Sequence, residues 1–257
     1  MTKTRGSTGY DGLQSPMGKE NFGQRVRGNS PTPTLPAAVL IDNDGTLMDT
    51  EGIWFDVEAN FARERGGVFT PEQALTFVGR PMSEISGALK EWTHAPESVD
   101  EITDILNRGV IERIASVSLP WRPGMEELVN QLTDQKIPLG LVSSSTRQIL
   151  DQIISRLPPG TFQVVVGSED VTHLKPHPEP YLLAANTLGV DPSRAVVIED
   201  SGAGIESGLR AGANVIGIPC MADLDSSPRV SRVASAHDLT VQDLEAVAQG
   251  LVIDRLE

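Results

Sequence analysis

Five short apolar runs, rich in valine and isoleucine, most constrain what this 257-residue chain can fold into. Their residues do not alternate between apolar and polar, as they would in a strand with one face in water. Continuous apolar runs of this length are typical of parallel strands that are covered on both faces. The runs are AAVLI at 37–41, PLGLV at 138–142, QVVVG at 163–167, AVVIE at 195–199 and NVIGI at 214–218.

Segments with helical spacing lie between the later runs and after the last one. They begin near residues 124, 146, 178 and 202, and a final helix begins after Thr240, which is the expected N-cap. Strands that alternate with helices in this way form an open parallel sheet with helices on both faces. The sequence therefore predicts a doubly wound, Rossmann-like α/β fold with a mostly parallel sheet.

A long helical interval interrupts this alternation. About 95 residues separate the first apolar run from the second, and most of them carry helical spacing, as Ile102, Ile105 and Leu106 illustrate. This pattern predicts an all-helical domain at residues 52–122, inserted into an α/β core domain made of residues 37–51 and 123–257. No stretch approaches 18 consecutive apolar residues, so we expect no membrane span.

Residues 1–36 differ in composition from the remainder of the chain. They hold six glycines and four prolines with almost no apolar run, which predicts a disordered tail. The first 18 residues lack the apolar stretch that a secretory signal needs. Cys220 is the single cysteine, so an internal disulfide is impossible and a cytoplasmic location is expected.

The charge balance excludes several classes of partner. The chain has 35 acidic and 21 basic residues, a net charge of -14. Such a chain is not expected to coat a nucleic acid, which requires a basic surface, or to bind an anionic membrane. The composition gives no indication of the oligomeric state.

Polar side chains follow the predicted strands at the edge where ligands of open α/β sheets bind. They are Asp42 and Asp44 after the first run, Ser143 and Ser144 after the second, Lys175 in the loop after the third, and Glu199 and Asp200 at the end of the fourth. Several carboxylates at one edge repel one another unless a cation neutralises them. A hard, oxygen-seeking ion such as Mg²⁺ fits this set.

Each cluster also has a simpler interpretation. The Asp-Asn-Asp-Gly segment at 42–45 is compatible with a plain turn. It does not fit an EF-hand loop, because Leu40 would then occupy the first ligand position. The serines could cap the next helix, with Ser145 or Thr146 as the N-cap, and Lys175 could be a solvated surface charge. Only the conjunction of these clusters at successive strand ends favours a functional site.

A glycine-rich segment follows Asp200 and suggests a dinucleotide-binding turn. Ser207 stands where the third glycine of that fingerprint belongs, and the carboxylates of Glu199 and Asp200 would meet the pyrophosphate. We therefore expect no dinucleotide cofactor at this position.

Four segments resemble the motifs of the haloacid dehalogenase-like (HAD) phosphohydrolase superfamily. They are VLIDNDGTLMDTE, LGLVSSS, HLKPHPEPY with Lys175, and VVIEDSGAGIESGLRAG, in the family's order over residues 37–220. The helical insertion is similar to the C1-type cap of the branch that contains β-phosphoglucomutase and phosphoglycolate phosphatase. Asn43 departs from the family, which more often has an apolar residue there.

The resemblance implies a role for each of these residues. Asp42 would attack phosphorus to give an aspartyl-phosphate, and Asp44 would act as general acid and base. Lys175 would offset the negative charge. The implied Mg²⁺ site consists of Asp42, Asp44, Glu199 and Asp200, and the implied phosphate contacts are Thr46, Ser143 and Ser144.

These roles predict a Mg²⁺-dependent phosphatase that hydrolyses a small phosphomonoester of the sugar or polyol type. The alternatives are a sugar-phosphate mutase of the β-phosphoglucomutase type, a dehalogenase, and a non-catalytic binding module. Thr46 favours the phosphatase over the mutase by resemblance. A dehalogenase would need neither Asp44 nor the metal-binding acids, and a binding module would lack the nucleophile or a metal acid.

Arg80 is the candidate for substrate selection. It lies in a Gly-Arg-Pro turn between two helical stretches, at 79–81. By resemblance this turn faces the active site, where a guanidinium can bind the substrate's phosphate or hydroxyls. Pairing with Glu84, four residues later, is the alternative.

Overall fold

The structure is a computed structural model that describes residues 35–256. The predicted disordered tail at 1–36 lies outside the described residues, except for its last two positions.

Six parallel strands form one sheet. They are β1 (Ala38–Ile41), β2 (Leu139–Val142), β3 (Val164–Val166), β4 (Ala195–Glu199), β5 (Asn214–Gly217) and β6 (Val230–Arg232). Their order in the sheet is β3-β2-β1-β4-β5-β6. The first five lie within the five apolar runs, so the predicted doubly wound parallel α/β fold is confirmed. The sequence does not predict β6, because this three-residue strand has one apolar side chain.

Helices cover both faces of the sheet. Successive side chains of a strand face opposite sides, so Val39 and Ile41 join one apolar cluster and Leu40 joins another. The first face packs against α5 (Met125–Asp134), α6 (Arg147–Ile154) and α9 (Val241–Ala248), and the second against α7 (Glu179–Leu188) and α8 (Gly202–Arg210). The side chain of Thr240 caps α9 as predicted, by accepting a hydrogen bond from the backbone N–H of Asp243.

Five helices lie between β1 and β2, and the first four of them are called the helical block here. These four are α1 (Glu51–Glu64), α2 (Pro71–Leu75), α3 (Met82–Thr93) and α4 (Val99–Ser116). The block has an apolar cluster of its own, built around Phe61, Leu89 and Leu106. The described residues 35–256 nevertheless lie within one compact unit, and the domain boundaries at 52 and 122 remain a prediction. Within residues 35–256, no helix combines the length and apolar character that crossing a membrane requires.

Candidate active site

A cavity of about 600 Å³ lies between the helical block and the carboxyl ends of the central strands. Asp42 follows β1, Ser143 follows β2 and Asp200 follows β4, and all three line this cavity with Lys175. Because the strands are parallel, their carboxyl ends meet at the same edge of the sheet. The fold therefore brings these predicted site residues together, although they are separated by as many as 158 positions in the sequence.

Lys175 is the buried cation of the site, with 5% of its side chain exposed. Its ammonium group donates to Asp42 Oδ1 at 2.6 Å, to Glu199 Oε1 at 2.6 Å and to the carbonyl oxygen of Val142 at 2.9 Å. Burial alone would lower the pKa of Lys175, but the two carboxylates hold that pKa above its usual value. Lys175 is therefore a fixed positive charge beside Asp42, and the surface-charge interpretation is excluded.

Glu199 orients this lysine. Its Oε1 accepts from Lys175 and from the Tyr181 hydroxyl at 2.7 Å, and its Oε2 accepts from the Ser201 hydroxyl at 3.1 Å. A Cβ at position 204 would overlap the carboxylate, so Gly204 permits helix α8 to pack against Glu199. Because both oxygens already have donors, Glu199 is held as a partner of Lys175 at the edge of the acidic cluster.

Asp42, Glu199 and Asp200 gather carboxylate oxygens within 4.8 Å of one another, and all three residues are buried. Burial raises the pKa of Asp42 to about 8; Lys175 opposes this rise, and Glu199 and Asp44 add to it. Burial, followed by the charge of Asp42, raises the pKa of Asp200 well above its usual value. The cluster carries more negative charge than one lysine compensates.

These residues fit a hard divalent cation. The donors are all oxygens, and a cation would offset the burial and the mutual repulsion that together raise both aspartate pKa values. Thr46 donates to Asp200 Oδ1 at 3.2 Å, which fixes one of its oxygens. Gly45 has a φ of 78° and lies against Asp200, where a Cβ would overlap the carboxylate. The β1–α1 turn is thus shaped around the acidic cluster.

Asp44 is held apart from Lys175 by a different set of donors. Its Oδ1 accepts from the Thr50 hydroxyl at 2.7 Å and from Trp54 Nε1 at 3.1 Å. Its Oδ2 accepts from the hydroxyls of Ser143 at 3.2 Å and Ser145 at 2.7 Å. Three of these partners are hydroxyls, which can donate to a carboxylate or accept from a carboxylic acid. The surroundings of Asp44 therefore suit a group that gains and loses a proton.

The three serines after β2 differ in their contacts. Ser143 Oγ accepts from the backbone N–H of Ser145 at 2.9 Å, whereas Ser144 is exposed to the cavity. Thr146 occupies the N-cap position of α6, but its hydroxyl makes no capping hydrogen bond. The predicted N-cap position at Thr146 is therefore confirmed, but without a side-chain hydrogen bond, and Ser145 uses its hydroxyl to bind Asp44 instead.

The position of Arg80 is compatible with both interpretations of its turn. It pairs with Glu84 at 3.1 Å, and 57% of its side chain is exposed. Arg80 also lines the cavity. Its neighbour Gly79 lies close to Ser201 of the core, because a Cβ built at position 79 would be 3.1 Å from the Cβ of Ser201. An exposed pair of this kind contributes about 0–1 kcal/mol, so Arg80 can exchange Glu84 for a ligand at low cost.

Sequence reasoning missed several residues of the site. Thr50 and Trp54 hold Asp44 from α1, and Tyr181 binds Glu199 from α7. Thr50 and Trp54 are four positions apart, so a helical projection places them on one face. The sequence does not indicate that this face contacts Asp44.

Comparison with known proteins identifies the family. The model of the haloacid dehalogenase-like hydrolases matches residues 39–218, which include Asp42, Ser143, Lys175 and Asp200. The chain belongs to this family. The resemblance seen in the sequence is thereby confirmed.

Several haloacid dehalogenase-like relatives act on phosphate esters. Hexitol phosphatase A of Escherichia coli is 32% identical over 214 residues, 81% of this chain and 91% of that protein. Validoxylamine A 7'-phosphate phosphatase of Streptomyces hygroscopicus is 33% identical over 196 residues, which are 73% of this chain and 87% of that protein. The bifunctional riboflavin kinase/FMN phosphatase of Arabidopsis thaliana is 31% identical over 82% of this chain, but this match spans only 54% of that longer protein.

Solved structures share the fold. CbbY from Rhodobacter sphaeroides has a TM-score of 0.72 at 22% identity, covering 80% of this chain and 96% of CbbY. A putative β-phosphoglucomutase from Thermotoga maritima has a TM-score of 0.62 at 26% identity, and the match covers 84% of this chain and 99% of that protein. These structures show that the strand order and the helical insertion belong to a known architecture.

Proposed function

We propose that this protein is a Mg²⁺-dependent phosphatase that hydrolyses small sugar or polyol phosphates through an aspartyl-phosphate. The observation that carries the proposal is the buried Asp42–Lys175 pair beside Asp200, with Asp44 held separately. The phosphatase names of the relatives from Escherichia coli and Streptomyces hygroscopicus support the reaction, and their names also support a polyol or carbohydrate substrate.

Asp42 acts as the nucleophile. Lys175 occupies its Oδ1, and within residues 35–256 its Oδ2 accepts no hydrogen bond, so Oδ2 is available to attack phosphorus. The attack forms a bond between Oδ2 and phosphorus and releases the substrate's alcohol. Lys175 and the hydroxyls of Ser143 and Ser144 lie where they can compensate the charge of the phosphoryl oxygens.

Asp44 transfers the protons. As a carboxylic acid it donates a proton to the leaving oxygen, and as a carboxylate it accepts one from the water that hydrolyses the aspartyl-phosphate. The hydroxyl partners of Asp44 serve both protonation states by rotating. Two carboxyl groups with different partners thereby take two different roles.

Asp42, Asp200 and the backbone carbonyl of Asp44 would hold Mg²⁺, with Glu199 in support through Lys175. When bound, the ion supplies positive charge that allows a carboxylate and a phosphate dianion to approach each other. Thr46 keeps Asp200 oriented for this role.

A phosphate-release assay over sugar, polyol, nucleotide and glycolate phosphates tests the proposal. With Mg²⁺ we expect turnover of at least one sugar or polyol phosphate and none in the Asp42→Asn variant. An inactive wild-type protein, with folding and Mg²⁺ supply verified, would contradict the proposal. Isomerised sugar phosphate in place of free phosphate would establish the mutase alternative, which shares these residues.

A further inference from the structure

Glu58 is a buried carboxylate of helix α1 that the proposed mechanism does not use. It is 5% exposed, yet its side chain lines the cavity. Within residues 35–256 it makes no hydrogen bond or ion pair with another side chain or with the backbone. Buried carboxylates are normally paired, because an unpaired one has lost water without gaining a partner. Glu58 therefore presents to the cavity a buried carboxyl group that no other residue of 35–256 satisfies.

The position of Glu58 relates it to the catalytic groups. Trp54 precedes it by one turn on the same face of α1, and Trp54 donates to Asp44. Four residues of helix span about 6 Å, so Glu58 lies roughly one turn beyond the contact with Asp44, farther into the helical block. A substrate whose phosphate sits at Lys175 would extend its carbon chain toward Glu58.

Helix α4 contributes a second polar group to the same cavity. Asn107 lines the cavity and makes no side-chain hydrogen bond within the described range 35–256. Thr103, one turn earlier on the same face, is already bonded to the hydroxyl of Ser86 at 2.8 Å. An amide donates and accepts, and a carboxylate accepts, so Asn107 and Glu58 together match a hydroxyl that both donates and accepts.

The cavity that holds these two groups also has aromatic walls. The aromatic rings of Trp54, Phe55 and Phe77 line the same cavity. Ligand sites are commonly built in this way, with few polar groups that fix orientation among apolar and aromatic surfaces. Aromatic faces pack well against the C–H surface of a carbon chain.

We propose that Glu58, with Asn107, binds the hydroxyl groups at the end of the substrate remote from the phosphate, and so selects polyol or sugar monophosphates over shorter esters. This inference rests on the proposed phosphatase function. It places specificity on α1 and α4, in addition to the turn that carries Arg80.

Steady-state kinetics of matched variants test the inference. The variants are Glu58→Ala, Glu58→Gln and the control Glu64→Gln, whose side chain lies on the same helix and is 71% exposed. The substrates are a hexitol phosphate, glycolate phosphate and a small aryl phosphate. We expect Glu58→Ala to lower kcat/KM for the hexitol phosphate by roughly tenfold to a hundredfold, because the truncation leaves a buried hydroxyl of the substrate without its hydrogen-bond partner. Its effect on glycolate phosphate and the aryl phosphate stays below about threefold, because these substrates lack distal hydroxyls.

The Glu58→Gln variant shows whether the substrate group that donates to position 58 is a hydroxyl or a cation. An amide oxygen still accepts from a hydroxyl, so we expect the Gln variant to retain more hexitol phosphatase activity than the Ala variant. Equal losses in the Gln and Ala variants would assign a cationic donor and overturn the hydroxyl proposal. Equal losses on all three substrates, or an unchanged kcat/KM for the hexitol phosphate, would also overturn it while leaving the phosphatase function standing. A folded wild-type protein that hydrolyses none of the three would overturn both proposals.

Discussion

Glu58 also makes a quantitative prediction about stability. Burial, with a smaller contribution from Glu51, raises the pKa of Glu58 from 4.5 to about 8 in the folded protein. In the unfolded chain the carboxyl is exposed to water and keeps its usual pKa. Between these two values the folded state keeps a proton that the unfolded state has lost. Rising pH therefore favours unfolding over this window, from about pH 4.5 to about pH 8.

The Glu58→Gln variant removes this contribution. Glutamine has nearly the same shape and never ionises, so it resembles the protonated glutamic acid at low pH. Linkage between the two pKa values predicts how the free energies of unfolding of the two proteins diverge. As the pH rises from 5 to 8, the stability of the variant relative to wild type should increase by about 3 kcal/mol. For a chain of this size, that gain corresponds to a rise in Tm of roughly 6–12 °C relative to wild type.

Thermal melts of the metal-free and substrate-free protein at pH 5, 6, 7 and 8 provide the assay. Other groups that titrate in this window, such as Asp42 and Glu51, are present in both proteins and largely cancel in the difference. The exposed Glu64→Gln variant should show a difference from wild type that does not change with pH. A difference for Glu58→Gln that is flat across the range, or that favours wild type at pH 8, would refute the argument that Glu58 is buried without a partner.

Three further predictions follow from other parts of the site. Asn43 is fully buried, and neither polar atom of its side chain has a hydrogen-bond partner among residues 35–256. Asn43→Leu should therefore raise Tm by roughly 2–10 °C, and an unchanged or lower Tm would contradict this. Arg80→Ala should lower kcat/KM for a hexitol phosphate by roughly tenfold or more, with a far smaller effect on kcat/KM for a small aryl phosphate. Equal effects on the two substrates would show that Arg80 only pairs with Glu84 and does not select the substrate. Chelation should abolish phosphate release, Mg²⁺ should restore it and excess Ca²⁺ should inhibit; turnover after verified metal removal would count against the metal-binding assignment of Asp42 and Asp200.

The residues that sequence reasoning found share one property. Asp42, Ser143 and Asp200 directly follow apolar strands, and in a parallel sheet the ends of such strands converge whatever the details of packing. Their meeting point could therefore be predicted from order alone. Strand β6 could not, because three residues with one apolar side chain carry no periodic signal.

Other residues depend on how helices dock, which local patterns do not encode. Tyr181 is fully buried against Glu199, although its position in α7 is compatible with an ordinary core residue. Ser145 stands where helix caps are common, yet its hydroxyl binds Asp44. Glu58 lies in a helix with many charged residues, and only the docked helical block shows that this carboxylate is the buried one.

The central claim is that Asp42 becomes phosphorylated during turnover, and acid-quenched reactions analysed by peptide mass test it most directly. An aryl phosphate suits this measurement, because its good leaving group needs little protonation while hydrolysis of the aspartyl-phosphate still needs a base. With Mg²⁺ present, we predict a phosphoryl group on the peptide that contains Asp42, at a higher level in Asp44→Asn than in wild type and absent in Asp42→Asn. Two results together would contradict this claim. The first is phosphate release by the wild-type protein with no phosphoryl group on that peptide, in either wild type or Asp44→Asn. The second is continued turnover in Asp42→Asn.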